Sequence, residues 1–131
     1  MDREPDTLRA TLDLPPVGRS AGAARRLVAQ LLEAWAAEPF RDDATLLVSE
    51  LVSNVVRHVV GQLAMRVEVA LSGPSLRVAV VDSSTVLPAV ASGGPYGGHG
   101  LGLVAAVADR WGSEEYPGGK RVWFELDREA A

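Results

Sequence analysis

The sequence predicts an α+β two-layer sandwich, a mixed, largely antiparallel sheet with helices on one face. Three observations carry this. Five segments alternate apolar and polar residues at the period of a strand. Four of them come as adjacent pairs joined by Gly73-Pro74 and by Pro117-Gly118-Gly119, which read as hairpin turns. The order β-α-α-β-β-loop-α-β-β lacks the strict strand–helix alternation of a doubly wound nucleotide fold. At 131 residues and with no internal repeat, the chain reads as one domain over 1–131.

Thr7 to Leu14 is the first strand, with Leu8, Ala10, Leu12 and Leu14 on one side, and Pro15-Pro16 ends it. Ser20 is a candidate cap for a helix to about Ala37, whose apolar stripe is Leu27, Leu31, Leu32 and Trp35. Pro39 breaks it. Asp42-Asp43 opens a second helix to about Val60, and Gly61 is a natural stop. In Leu63 to Leu71 the odd-numbered residues share one face, and in the next strand Leu76, Val78, Val80 and Asp82 do. Residues 83–99 are a loop rich in Gly, Pro and Ser, of a length that usually signals function. A third helix is expected over Gly100 to Arg110, then strands over Arg110 to Tyr116 and Lys120 to Asp127.

Composition narrows the function. Thirteen basic against seventeen acidic residues give a net charge of -4, which argues against direct nucleic-acid binding. Cysteine is absent and there are two histidines, so disulfides, thiol chemistry and a zinc site are not expected. Met1 to Pro5 lacks the apolar run of a secretory signal, and no stretch approaches a membrane span. A cytoplasmic protein with no membrane partner is the expectation.

Chemistry has three candidate places. On the second helix Glu50, Asn54 and His58 lie at i, i+4 and i+8, with Arg57 in the same arc and Val48, Leu51, Val52, Val55 and Val59 opposite. A carboxylate and a carboxamide one turn apart suit a base and a hard-metal ligand; they equally suit a solvated face. Asp82 continues the inward side of an apolar strand, so its carboxylate needs a donor. That donor is either a ligand amine or the chain's own turn at Ser83-Ser84. The run Gly97 to Leu103 combines backbone-exposing glycines with a helix start, an anion cradle or a flexible loop. It is not a dinucleotide fingerprint, because no strand precedes it, and Gly118-Gly119-Lys120 is not a Walker loop.

In order, Glu50-Leu51-Val52-Ser53-Asn54-Val55-Val56-Arg57-His58, then Val80-Val81-Asp82-Ser83-Ser84, then Gly98-His99-Gly100-Leu101-Gly102-Leu103 resemble the three boxes of the GHKL (Bergerat-fold) ATPases. The resemblance spans about Thr7 to Leu126 and is strongest to the anti-sigma factor serine/threonine-kinase branch. It implies ATP and Mg²⁺ as cofactors. Glu50 would be the catalytic base, Asn54 the Mg²⁺ ligand and Asp82 the acceptor of the adenine amine. Gly98, His99, Gly100, Leu101 and Gly102 would wrap the phosphates under an ATP lid at 83–99. The implied function is an ATP-dependent kinase acting on a serine or threonine of an anti-anti-sigma (STAS) partner. It would regulate an RNA polymerase sigma factor by partner switching, with a homodimer through the first strand and helix in keeping with the family. The alternative is a nucleotide-binding interaction module without transfer. The chain departs from the pattern at Ser83-Ser84-Thr85, where glycines are common. It departs again at Gly119-Lys120, where the family's Gly-Thr pair supplies a hydroxyl.

Overall fold

The computed structural model describes residues 7–58, 64–83, 99–116 and 118–128. Its strands are β1 (Thr7–Leu14), β2 (Met65–Ser72), β3 (Ser75–Asp82), β4 (Arg110–Tyr116) and β5 (Gly119–Asp127). Its helices are α1 (Ser20–Ala34), α2 (Arg41–His58) and α3 (His99–Val107), with a short 3₁₀ turn at Glu38–Phe40. The sheet order is β1-β2-β3-β5-β4. Every pairing in it is antiparallel, so the sheet is not mixed. The connectivity explains why. β3 and β4 run in the same direction, but the β4–β5 hairpin inserts β5 between them and removes the parallel contact.

Alternation decides which side meets the helices. Leu12, Val67, Val80 and Val122 lie in line across β1, β2, β3 and β5 by register and face the helices, as do Val69, Val78 and Phe124. Against them pack Ala44, Leu47, Val48, Leu51, Val52 and Val55 of α2, all buried, and Leu101 and Val104 of α3. The apolar side of α1 overlaps the expected stripe in Leu32, with Leu31 and Trp35 packed at its margin, and is otherwise made of smaller residues. Ala21, Ala24, Val28 and Leu32 are buried, whereas Leu27, Leu31 and Trp35 are half-buried. Small alanines at that contact let α1 sit close, and the larger side chains flank it.

Several boundaries differ from expectation. Ser20 is the first helical residue rather than the cap, and its hydroxyl donates to the Pro15 carbonyl at 2.6 Å. α1 ends at Ala34, not Ala37, because the chain turns there. Ala37 N–H donates to Leu32 O and Ala36 N–H to Glu33 O, a Schellman turn. α3 starts at His99, within the expected lid, and ends at Val107, since Arg110 already belongs to β4. Val59, Val60, Gly61 and Leu63, and the lid apart from Ser83 and His99, lie outside the described residues. None of the described helices is long and apolar enough to cross a membrane.

The opposite face of the sheet is charged. Arg121 reaches Glu68 and Glu114 at 3.0 and 3.3 Å, Arg77 reaches Glu125 at 3.3 Å, and Arg110 holds Glu125 and Asp127 at 2.6 Å each. The hydrogen bond from Arg110, then that from Ser75, holds the Asp127 carboxyl below its usual range. The Arg77 guanidinium lies 4.3 Å from the centroid of the Trp123 ring.

The Schellman turn leaves one correctable strain. Ala36 has φ 54°, a left-handed conformation that costs a residue with a Cβ about 1–2 kcal/mol. Ala36→Gly should raise the unfolding free energy by up to about 1 kcal/mol after the extra flexibility of glycine in the unfolded chain is subtracted. Urea denaturation measures this; a less stable variant would contradict the turn.

Candidate functional site

α2 opens with Asp42 and Asp43 in its first turn, where carboxylates favour the helix dipole. Its core side buries Leu47, Leu51 and Val55, which sets Glu50 and Asn54 on the flank of that side, where both are half-buried. Arg57 is exposed. The helix thus carries a carboxylate and a carboxamide one turn apart on a partly sheltered face. Among the described residues no three His, Asp or Glu gather into a metal centre. A carboxamide oxygen such as that of Asn54 suits Mg²⁺ when phosphate oxygens and water complete the shell.

Asp82 ends β3 and is buried, as strand alternation requires. Its donor is one that neither sequence alternative named. Lys120 lies directly opposite in the β3–β5 register, and its Nζ stands 3.1 Å from Oδ2 and 3.3 Å from Oδ1. The side chains are 5% exposed for Lys120 and 0% for Asp82, so the ion pair lies inside the protein. Neighbouring Gly119 makes the approach possible: a Cβ there would collide with the Asp82 carbonyl oxygen. The signal was present in the sequence. The alternation Val122, Phe124, Leu126 extends back to Lys120, which places it on the inward face.

The third element is the start of α3. Leu101 is buried against the core, so what it can offer a ligand is its backbone N–H. Gly102 needs no small side chain for packing: a Cβ there would meet nothing within 4 Å among the described residues. Gly98 lies outside the described residues, and His99 and Gly100 form the first turn of the helix. α2 packs on α3 and on β3, so these elements adjoin one another. At the end of the sheet a hollow of about 310 Å³ is lined by Asp13, Met65, Arg66, Val81, Asp82 and Ser83, with Ala64 and Gly118.

The model of the histidine kinase-like ATPase domain matches residues 15–126. The chain belongs to that family. Within the matched span the sequence boxes fall on α2, the end of β3 and the start of α3. Its fold is shared with a crystal structure of the RsbU and RsbW domains of Rv1364c from Mycobacterium tuberculosis. That match has a TM-score of 0.73 at 20% identity and covers 94% of this chain. The chain spans 34% of that longer protein. No curated protein matches the sequence significantly.

The buried pair yields a stability prediction. Lys120→Met leaves a carboxylate inside the protein without its cation and should cost about 3–5 kcal/mol. The double variant Asp82→Leu/Lys120→Met removes both charges and should recover most of that loss. Urea unfolding of both variants checks this; a Lys120→Met protein as stable as the parent would rule out a structural debt to the ammonium.

Proposed function

We propose that this domain is an ATP- and Mg²⁺-dependent anti-sigma factor-type kinase. It transfers the γ-phosphoryl group to a serine or threonine hydroxyl on an anti-anti-sigma (STAS) partner. The observation that carries the reading is the placement of three sequence boxes on adjoining elements: Glu50 and Asn54 on one face of α2, Asp82 at the end of β3, and Gly100 to Gly102 in the first turns of α3. The RsbW domain in the similar structure supports the anti-sigma branch. Control of a sigma factor by partner switching, a cytoplasmic location and a homodimer follow from that branch.

Each residue has a role in the transfer. Asn54 would hold Mg²⁺ through its carboxamide oxygen. The metal, when bound, neutralises charge on the phosphates, where positioning and electrostatics supply most of the catalysis. The N–H groups at the start of α3 would face the phosphate oxygens, a helix N-terminus favouring negative charge. Glu50 would accept the proton of the attacking hydroxyl as its oxygen bonds to the γ-phosphorus and the bond to ADP breaks. Asp82 would take the adenine amine. The second reading, a nucleotide-binding module without transfer, is favoured by one observation: Asp82 is already engaged by Lys120.

Two substitutions one helical turn apart separate the readings. Asn54→Ala should weaken ATP binding in the presence of Mg²⁺ and have little effect in its absence. Glu50→Gln keeps the shape, should leave ATP affinity nearly unchanged, and should slow transfer by about 10²–10⁴-fold. The assays are ATP titration with and without Mg²⁺ and transfer of labelled phosphate to candidate STAS proteins. A parent chain that binds ATP and phosphorylates no cognate partner would favour the module.

A further inference from the structure

The geometry points to Lys120 as a tethered competitor for the nucleotide base: its ammonium pairs with the Asp82 carboxylate that an adenine amine would need. Lys120 thereby governs both the affinity and the base selectivity of the site. This rests on the nucleotide reading above. Nζ donates a hydrogen bond to Oδ1 at 3.3 Å and stands 3.1 Å from Oδ2 as an ion pair. Burial keeps bulk water from competing for either group, with 5% and 0% side-chain exposure. The approach is fixed by backbone rather than chance, since Asp82 and Lys120 are opposite in register and Gly119 brings β5 against the Asp82 carbonyl.

The competition is unequal. A base amine is a neutral donor to the carboxylate, whereas the ammonium adds the direct Coulomb attraction of a full positive charge in a water-poor interior. An arriving adenine therefore cannot displace Lys120 through its amine alone. Contacts to the triphosphate must drive the exchange, while the lysine moves off one or both oxygens on its flexible stem. Two consequences follow. Affinity for ATP is lower than a carboxylate without a cation would give. Discrimination between ATP and a nucleotide lacking the amine is shallow, because the amine contact is made at the expense of an existing one.

The experiment titrates the full chain with Mg·ATP and with Mg·purine riboside triphosphate, which lacks the exocyclic amine. The variants are Lys120→Thr, Lys120→Ala and Lys120→Arg. Threonine adds a hydroxyl and alanine does not, so together they separate loss of the ammonium from gain of a new contact. Both should bind ATP about 10- to 100-fold tighter, the range of one charged hydrogen bond. Their preference for ATP over the purine analogue should grow by a similar factor. Lys120→Arg, whose planar fork matches both oxygens, should bind ATP more weakly than the parent. Folded Thr and Ala variants with parental or weaker ATP affinity would overturn the inference, as would equal tightening for both nucleotides. If those two fail to fold, the arginine variant decides: ATP affinity at or above the parent's overturns it. A parent that binds no nucleotide while Lys120→Thr binds ATP supports it. Absence of binding in the parent and all folded variants instead overturns the nucleotide reading itself, and the inference with it.

Discussion

The seating of α2 is the constraint from which the candidate site follows. Six of its apolar side chains, Ala44, Leu47, Val48, Leu51, Val52 and Val55, are buried against the sheet and the neighbouring helices. A helix committed on one side has no rotational freedom left. At 100° per residue, burying Leu47, Leu51 and Val55 fixes where Glu50 and Asn54 must lie. The core thus sets the direction in which the polar pair leaves the helix. α2 also touches α1, α3 and β3, so the same helix ties the other two boxes to its own.

The sheet supplies the second coordinate. β3 is interior to the sheet, flanked by β2 and β5, and its inward alternation runs Leu76, Val78, Val80 and then Asp82. An aliphatic strand that ends on an inward carboxylate breaks the local rule at one position. Such breaks in an otherwise consistent pattern are where function concentrates. The protein answers it with Lys120 across the ladder. A buried ion pair is weak support for stability, because desolvation offsets much of the attraction. Its presence at the end of the sheet beside α2 and α3 accords better with a role in recognition.

Much of this was legible in the sequence because it depends on period and order. The strands, the hairpin turns, the buried side of α2 and the inward direction of Asp82 all follow from spacing. What was missed depends on three-dimensional neighbours. Alternation shows that Lys120 points inward, but its meeting with Asp82 needs the β3–β5 register, and no local signal pairs segments so far apart. The stripe on α1 was legible in part: Leu32 is buried and Leu31 and Trp35 pack against the core, but alanine carries little weight in a hydrophobic pattern, and Ala21 and Ala24 are buried as well. The third helix ended early because Arg110 is drawn into β4 by Glu125 and Asp127.

The Asp82–Lys120 pair also bears on folding fidelity. Hydrophobic alternation cannot distinguish the native β3–β5 alignment from one slipped by two residues, since both keep aliphatic side chains inward. A two-residue slip would set Asp82 against Val122, or leave it beyond the strand at Gly118, with a buried charge stranded in either case. The valines and leucines of these strands are interchangeable to a first approximation; the aspartate and the lysine are not. The internal pair therefore makes the native register lower in electrostatic energy than either slipped one.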